Sequence, residues 1–163
     1  MVGVSKNILT QLSSALESLN NEEYTKPLDI FSGASTSQHV RHILEFYLCV
    51  IDSDKQNINF DVRKRDLSIE QNIHIAQEKI ASISNALDSL SNDTHLLLTA
   101  SLGSKSHTVQ SSLLRELLYV VEHAVHHMAI IKMGLMLHFP HIKLKANFGV
   151  AESTIAYRDV CAQ

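Results

Sequence analysis

Histidines are the side chains of this sequence best suited to chemistry, since ten of them occur in 163 residues beside no tryptophan. Two of them, His123 and His127, lie four residues apart in a long apolar segment. Residues i and i+4 are about 40° apart around a helix axis, so both rings would lie on one face. Two imidazoles one turn apart can reach one metal ion without straining the backbone. The spacing predicts part of a metal site, although two hydrogen-bonded structural histidines would have the same spacing.

A third ligand would have to come from another helix, and the segment around residue 40 offers two candidates. His39 and His42 lie close to one turn apart, so either could face the first pair. Polar residues are expected to mark the exposed face of this helix: Gln38, Arg41, Glu45 and Asp52. On that basis His39 lies deeper in the apolar arc than His42. The pattern alone therefore favours His39.

The remaining polar candidates are interpreted as bystanders. His126 pairs with Glu122 at i,i+4 spacing and is expected to face solvent. Glu116 lies on the stripe of His123 but about 10 Å away along the helix, and we interpret it as a charge favourable to the helix dipole. Five further histidines are expected to be structural or solvent-facing: His74, His95, His107, His138 and His141.

Four segments have apolar residues three and four positions apart, as in amphipathic helices: 6–20, 36–54, 68–90 and 112–138. Ser35 with Gln38, and Ser68 with Gln71, form capping-box pairs that open the second and third of these helices. Pro140 ends the fourth. Four long helices in a chain of this length predict an all-α fold, a helix bundle.

The segments between these helices carry weaker signals. Residues 55–66 are polar and aperiodic and are predicted to form a loop. Residues 95–110 break the helical pattern, which predicts a short β-hairpin or an extended loop before the last long helix. Residues 147–163 are expected to hold one short element. No long linker divides the chain, so we expect residues 1–163 to form a single domain.

Composition narrows the function classes. The formal net charge of −3 is spread along the chain, whereas a nucleic-acid binder would usually carry a basic stripe. No apolar run approaches a membrane span, and the N-terminus shows no signal peptide. Cys49 and Cys161 are far apart, without a CxxC motif. We therefore expect a cytoplasmic protein with reduced thiols and with no nucleic-acid or membrane partner.

Two segments resemble a known family. Residues 35–46, STSQHVRHILEF, look like the second-helix signature of the DinB-like (YfiT-like) metalloprotein superfamily. Residues 117–129, LLYVVEHAVHHMA, resemble its later HxxxH helix. The order of the motifs agrees as well, and the resemblance covers most of the chain.

The resemblance implies a four-helix bundle in an up-down-down-up arrangement that holds a divalent metal ion with three histidines. Matched motif by motif, these ligands are His42, His123 and His127. This assignment differs from the helical-wheel preference for His39, which stays as a runner-up or as a supporting group. Nitrogen-only coordination suits zinc or nickel, with iron also allowed.

The resemblance also implies a chemistry, because characterised relatives use a low-molecular-weight thiol as cosubstrate. The first hypothesis is a metal-dependent S-transferase or isomerase that takes a small-molecule thiol and an electrophilic substrate. The second is a metal-dependent hydrolase, for which no general base can be named. The third is a non-enzymatic metal-binding or interaction bundle. Because relatives are often dimers, the resemblance also implies that this protein can form a homodimer.

Overall fold

The computed structural model describes residues 1–53, 57–90 and 92–161 of the chain. Within these residues there are seven α-helices and three β-strands. The helices are α1 (Val2–Leu16), α2 (Asn21–Thr25), α3 (Thr36–Ile51), α4 (Leu67–Gln71), α5 (Ile73–Ala86), α6 (Leu113–His138) and α7 (Glu152–Cys161). Helix α3 packs against α5 and α6, and α1 packs against the same two helices.

The two helices that carry the candidate ligands begin at side-chain caps. At the start of α3, the Ser35 hydroxyl accepts a hydrogen bond from the Gln38 N–H, and the Gln38 side chain accepts one from the Ser35 N–H. This is the predicted capping box. Helix α6 begins after Ser112, whose hydroxyl accepts from the Arg115 N–H. These caps determine where the histidines of α3 and α6 lie along their helices.

A three-stranded sheet accompanies the helices. Strands β2 (His95–Leu102) and β3 (Lys105–Ser112) pair antiparallel around a turn at Gly103, whose φ of +64° favours glycine. Strand β1 (Asn57–Ile58) pairs parallel with the other edge of β2. Of the two forms predicted before the last long helix, a short hairpin or an extended loop, the structure has a hairpin.

The predicted all-α fold, a four-helix bundle in an up-down-down-up arrangement, is wrong. The sheet of β1, β2 and β3 makes the fold a mixed one. The hairpin strands are eight residues each, and β1 comes from residues 55–66, a segment predicted to be only a loop. Its partner in β2 lies 40 residues away, for example Asn57 against Leu97. Local periodicity carries no information about a pairing at that distance.

Helix boundaries also differ from the prediction in places. The third predicted helix is two helices, α4 and α5, because Asn72 has an extended backbone (φ −141°, ψ 116°) and caps α5. Asp66, not Ser68, caps α4 by accepting from the Ser68 N–H. Helix α1 begins and ends four residues earlier than predicted, and α2 was not predicted. The predicted helix end at Asp54, the loop start at Lys55 and the terminal Gln163 lie outside the described residues.

The buried core lies between the long helices. Leu12 of α1, Tyr47 of α3, Ile83 of α5 and Val120 of α6 are all nearly inaccessible to solvent. Tyr24 of α2 is also buried, and its hydroxyl donates to the Ile69 carbonyl at 2.8 Å. In the described residues, no helix is both long enough and apolar enough to cross a membrane.

Gly134 lets α6 approach the short 3-10 turn Asp29–Phe31. A Cβ added at Gly134 would lie 2.0 Å from Cζ of Phe31, whose ring is buried. We expect Gly134→Ala to lower the free energy of unfolding by about 1–3 kcal/mol through overpacking. Urea denaturation measures this loss. Gly3→Ala is the control, because nothing lies within 4 Å of its added Cβ. Equal stability of the two variants would contradict this account of Gly134.

Candidate metal centre

Helices α3 and α6 bring three histidines to one point. One possible ligand atom from each of His42, His123 and His127 lies within 4.8 Å of the other two. The closest pair is His42 Nε2 and His123 Nε2, 2.8 Å apart. All three side chains are half-buried. The structure therefore places the three residues predicted from motif order in one cluster.

The donor set and the spacing fit a divalent ion. Nitrogens bound at about 2.0–2.1 Å to a tetrahedral zinc lie roughly 3.3 Å apart. The distances between the candidate ligand atoms bracket this separation, so small ring movements bring all three into place. Three imidazoles leave at least one position free for another ligand, which is typical of catalytic zinc sites.

His39 lies beside the cluster and contacts one of its members. His39 Nδ1 and His127 Nδ1 are 2.9 Å apart, so one of these nitrogens donates to the other. The edge of the His39 ring also packs against Phe31. His39 is not part of the group of three. Its position is that of a side chain which orients His127.

Arg63, from the segment between β1 and α4, contacts His42 on the side away from His123. Arg63 Nη2 lies 3.1 Å from His42 Nδ1, Arg63 Nε donates to Glu45 Oε2 at 3.1 Å, and Nη1 donates to the Phe60 carbonyl. Glu45 is 1% exposed. It also accepts from the Asp66 N–H and pairs with Arg41. These contacts attach the segment 60–66 to the face of α3 that carries His42.

Aromatic rings cover one side of the cluster. Phe46 stacks on His123, with ring centroids 4.3 Å apart and an interplanar angle of 17°. Phe60 also stacks on Phe46, and Tyr119 contacts both Phe60 and His123. These contacts restrict rotation of the His123 ring and exclude water from that side.

Burial keeps the imidazoles uncharged. Burial, followed by the positive charge of Arg63, lowers the pKa of His42 to about 4. Burial, followed by repulsion from His42, lowers the pKa of His127 to about 3. Burial also lowers the pKa of His123 and of His39. At neutral pH each ring is therefore neutral and has one unprotonated nitrogen.

The other predicted residues are outside the group of three, although the rings of His126 and His127 are in contact. His126 is exposed, as predicted. Glu116 is in the first turn of α6, as expected, but it is fully buried, where it accepts from Ser111 and Arg115.

Sequence reasoning missed the residues that support the cluster, above all Glu45 and Arg63. The prediction that Glu45 lies on the exposed face of α3 is wrong, because Arg63 and Arg41 bury it by pairing with it. The available signal was its position three residues after His42, which puts both on neighbouring turns. Arg63 comes from a segment with no regular pattern, and no signal in the sequence pointed to it.

Cys49 lies outside the group of three histidines and is unsuited to be a nucleophile. Burial raises the pKa of its thiol to about 11, so it is protonated at neutral pH. Cys161, in contrast, is exposed.

We expect a thiol reagent such as dithionitrobenzoate to modify one thiol per folded chain rapidly and both thiols in denaturant. The reason is that the reagent attacks the exposed Cys161 long before the protonated, half-buried Cys49. The time course of absorbance measures this. Cys161→Ser should remove the rapid phase, and a rapid phase that persists in this variant would contradict the assignment.

Comparison with known proteins gives a partial match. The chain is 37% identical over 111 residues to "FK506-binding protein 5" of Rhizopus delemar, which covers 61% of this chain and 27% of that protein. The chain thus spans about a quarter of the length of the curated relative it matches. No family model and no solved structure matches the chain. The match covers too little of the relative to carry its function over.

Proposed function

We propose that this protein binds one divalent metal ion through His42, His123 and His127 and acts as a metal-dependent enzyme on a low-molecular-weight thiol. The observation that supports this proposal best is the convergence of three uncharged, half-buried imidazoles from two helices. The order of the histidine motifs, which resembles that of DinB-like proteins, also supports it. The expected reaction is an S-transfer or an isomerisation that uses the thiol as cosubstrate.

The donor set limits the metal. Three imidazoles without carboxylate or thiolate ligands favour zinc or nickel, with iron also allowed. When bound, such an ion supplies Lewis acidity, which lowers the pKa of a thiol and holds it as a thiolate. This chemistry suits a centre whose protein ligands are neutral. Neutral imidazoles leave the full positive charge of the ion available to stabilise a thiolate.

The surrounding side chains hold the three ligands in place. His39 fixes the ring of His127 through the contact between their Nδ1 atoms. Phe46 fixes the ring of His123 by stacking. Such supporting contacts commonly contribute 10–100-fold to metal affinity or activity. Together with Phe60, the aromatic rings exclude water from one side of the centre, which strengthens electrostatic interactions there.

Hydrolysis is less well supported, because it needs a general base beside the reacting water. Two buried carboxylates, Glu45 and Glu116, flank the helical segments that carry the histidines. Glu45 is occupied by Arg63 and Arg41, and Glu116 by Ser111 and Arg115. Glu45 is held by its ion pairs, and Glu116 lies about 10 Å from His123 along the helix, so neither is placed to accept a proton from water at the centre.

The test is an assay of thiol conjugation to an electrophile such as chlorodinitrobenzene. Purified untagged protein is incubated with glutathione, mycothiol, bacillithiol or cysteine, with and without Zn²⁺ or Ni²⁺. We expect metal-dependent turnover with at least one thiol in the wild type and in His126→Ala, and none in His123→Ala. Metal-dependent ester or amide cleavage without any thiol reaction would favour the hydrolase. Neither activity in a metal-loaded protein would favour the non-enzymatic hypothesis.

The match to the Rhizopus delemar protein raises a second candidate, binding of FK506. The 37% identity over 111 residues is the observation in its favour. Sites for such ligands are mostly apolar. A cavity of about 600 Å³ beside Glu45 and Arg63 has apolar residues in its lining but also six charged side chains: Glu45, Asp52, Arg63, Lys64, Asp66 and Lys79. Calorimetric titration with FK506 tests this candidate, and saturable binding would support it.

A further inference from the structure

The contact between Arg63 and His42 has a fixed direction. A guanidinium group has five N–H donors and no acceptor, so Arg63 Nη2 must donate to His42 Nδ1 across the 3.1 Å that separates them. His42 Nδ1 therefore carries a lone pair and no proton. The guanidinium is well held in this position, since its side chain is 13% exposed and also bonds Glu45 and Phe60.

This direction determines the second nitrogen of the ring. A neutral imidazole has one proton, and with Nδ1 unprotonated that proton is on Nε2. His42 Nε2 then donates to His123 Nε2, 2.8 Å away. The nitrogen of His42 that faces the other ligand is thus a protonated one, which has no lone pair for a metal ion.

Metal-binding histidines usually have the opposite arrangement, in which the distal nitrogen donates its N–H to a carboxylate or a carbonyl. Glu45 would be the natural acceptor near His42, but its Oε2 is bonded to Arg63 and its Oε1 accepts from the Asp66 N–H. Arg63 thus forms hydrogen bonds both to the Glu45 carboxylate and to Nδ1 of His42.

We propose that Arg63 is a latch on the metal centre, whose hydrogen bond to His42 stabilises the tautomer that does not bind metal. The proposal rests on the proposed metal site. For His42 Nε2 to hold a metal ion, that nitrogen would have to lose its proton to water and Nδ1 would have to take one from water, so the ring would stay neutral. The new Nδ1–H would then face the Nη2–H of Arg63, so the hydrogen bond between Arg63 and His42 would have to break. This exchange costs free energy, and metal binding is weaker by that amount.

The latch predicts that removing the guanidinium strengthens metal binding. In Arg63→Gln the amide oxygen can accept from His42 Nδ1–H, and we expect Zn²⁺ to bind about 10-fold tighter or more. Competition with a chromophoric chelator measures the dissociation constant. Arg65→Gln is the matched control, because Arg65 is exposed, lies two residues away and makes the same charge change. Zn²⁺ affinity in Arg63→Gln equal to or weaker than in Arg65→Gln would overturn the proposal.

The tautomer of His42 can be read directly in the metal-free wild type. Long-range proton–nitrogen NMR correlations of the histidine rings distinguish Nε2–H from Nδ1–H. We expect His42 to be protonated on Nε2, and a resonance pattern for Nδ1–H would overturn the proposal even if Arg63→Gln fails to fold. Failure of the metal site itself has a separate result. In that case neither the wild type nor Arg63→Gln binds Zn²⁺ stoichiometrically, whichever tautomer His42 adopts.

Discussion

Replacing His123 with alanine is expected to weaken Zn²⁺ binding by at least about 100-fold, since the loss of a ligand exceeds the 10–100-fold cost of losing a supporting contact. His123 Nε2 lies 2.8 Å from His42 Nε2 and its ring is fixed by Phe46, so the ring is already held in the position of a ligand. Chelator competition on untagged protein measures the change. We expect the same result for His42→Ala and for His127→Ala.

His126→Ala is the control for this series, because it removes an exposed imidazole from the same helix turn and should leave the affinity unchanged. His39→Ala should have the smaller effect of a supporting contact, about 10–100-fold. If His39→Ala abolishes binding while His42→Ala does not, the third ligand has been assigned wrongly.

Replacing Glu45 with alanine is expected to lower the free energy of unfolding of the metal-free protein by about 3–5 kcal/mol. Glu45 is 1% exposed and is the shared partner of Arg63 and Arg41. Its removal leaves two largely buried guanidinium groups with fewer partners and frees the Asp66 N–H. Chemical denaturation in the presence of a chelator measures the loss without a contribution from bound metal.

Glu122→Ala is the matched control for Glu45, because it removes a carboxylate from an exposed helical position of α6. We expect a change within about 0.5 kcal/mol for this variant. A loss of the same small size in Glu45→Ala would show that the buried ion pairs do not hold the segment 60–66 against α3.

The candidate ligands could be predicted because their signals are local. The HxxxH spacing places His123 and His127 on one helix face, and the resemblance to the DinB-like superfamily, not the pattern of residues, selected His42 as their partner. Helical-wheel counting alone selected His39 instead, since it assumed that the polar residues of α3 face solvent. Glu45 defeats that assumption, because two arginines make its burial possible. A wheel has no access to partners supplied by another segment.

The parts of the structure that were missed depend on contacts between distant residues. The hairpin was predicted from alternation within 95–110, but β1 pairs with β2 across about 40 residues. Arg63 reaches His42 from a segment without periodicity, so no local pattern predicted it. The all-α prediction failed for the same reason, since it extended a correct account of the long helices to segments whose partners were not known.

The most direct test of the metal centre is X-ray absorption spectroscopy of the untagged protein loaded with one equivalent of Zn²⁺. The proposed centre predicts three imidazole ligands at about 2.0–2.1 Å, with an oxygen ligand such as water in the remaining position. His126→Ala should give the same spectrum, and His123→Ala should lose the three-imidazole signature. A sulfur shell near about 2.3 Å, or fewer than three imidazoles in the wild type, would contradict the central claim.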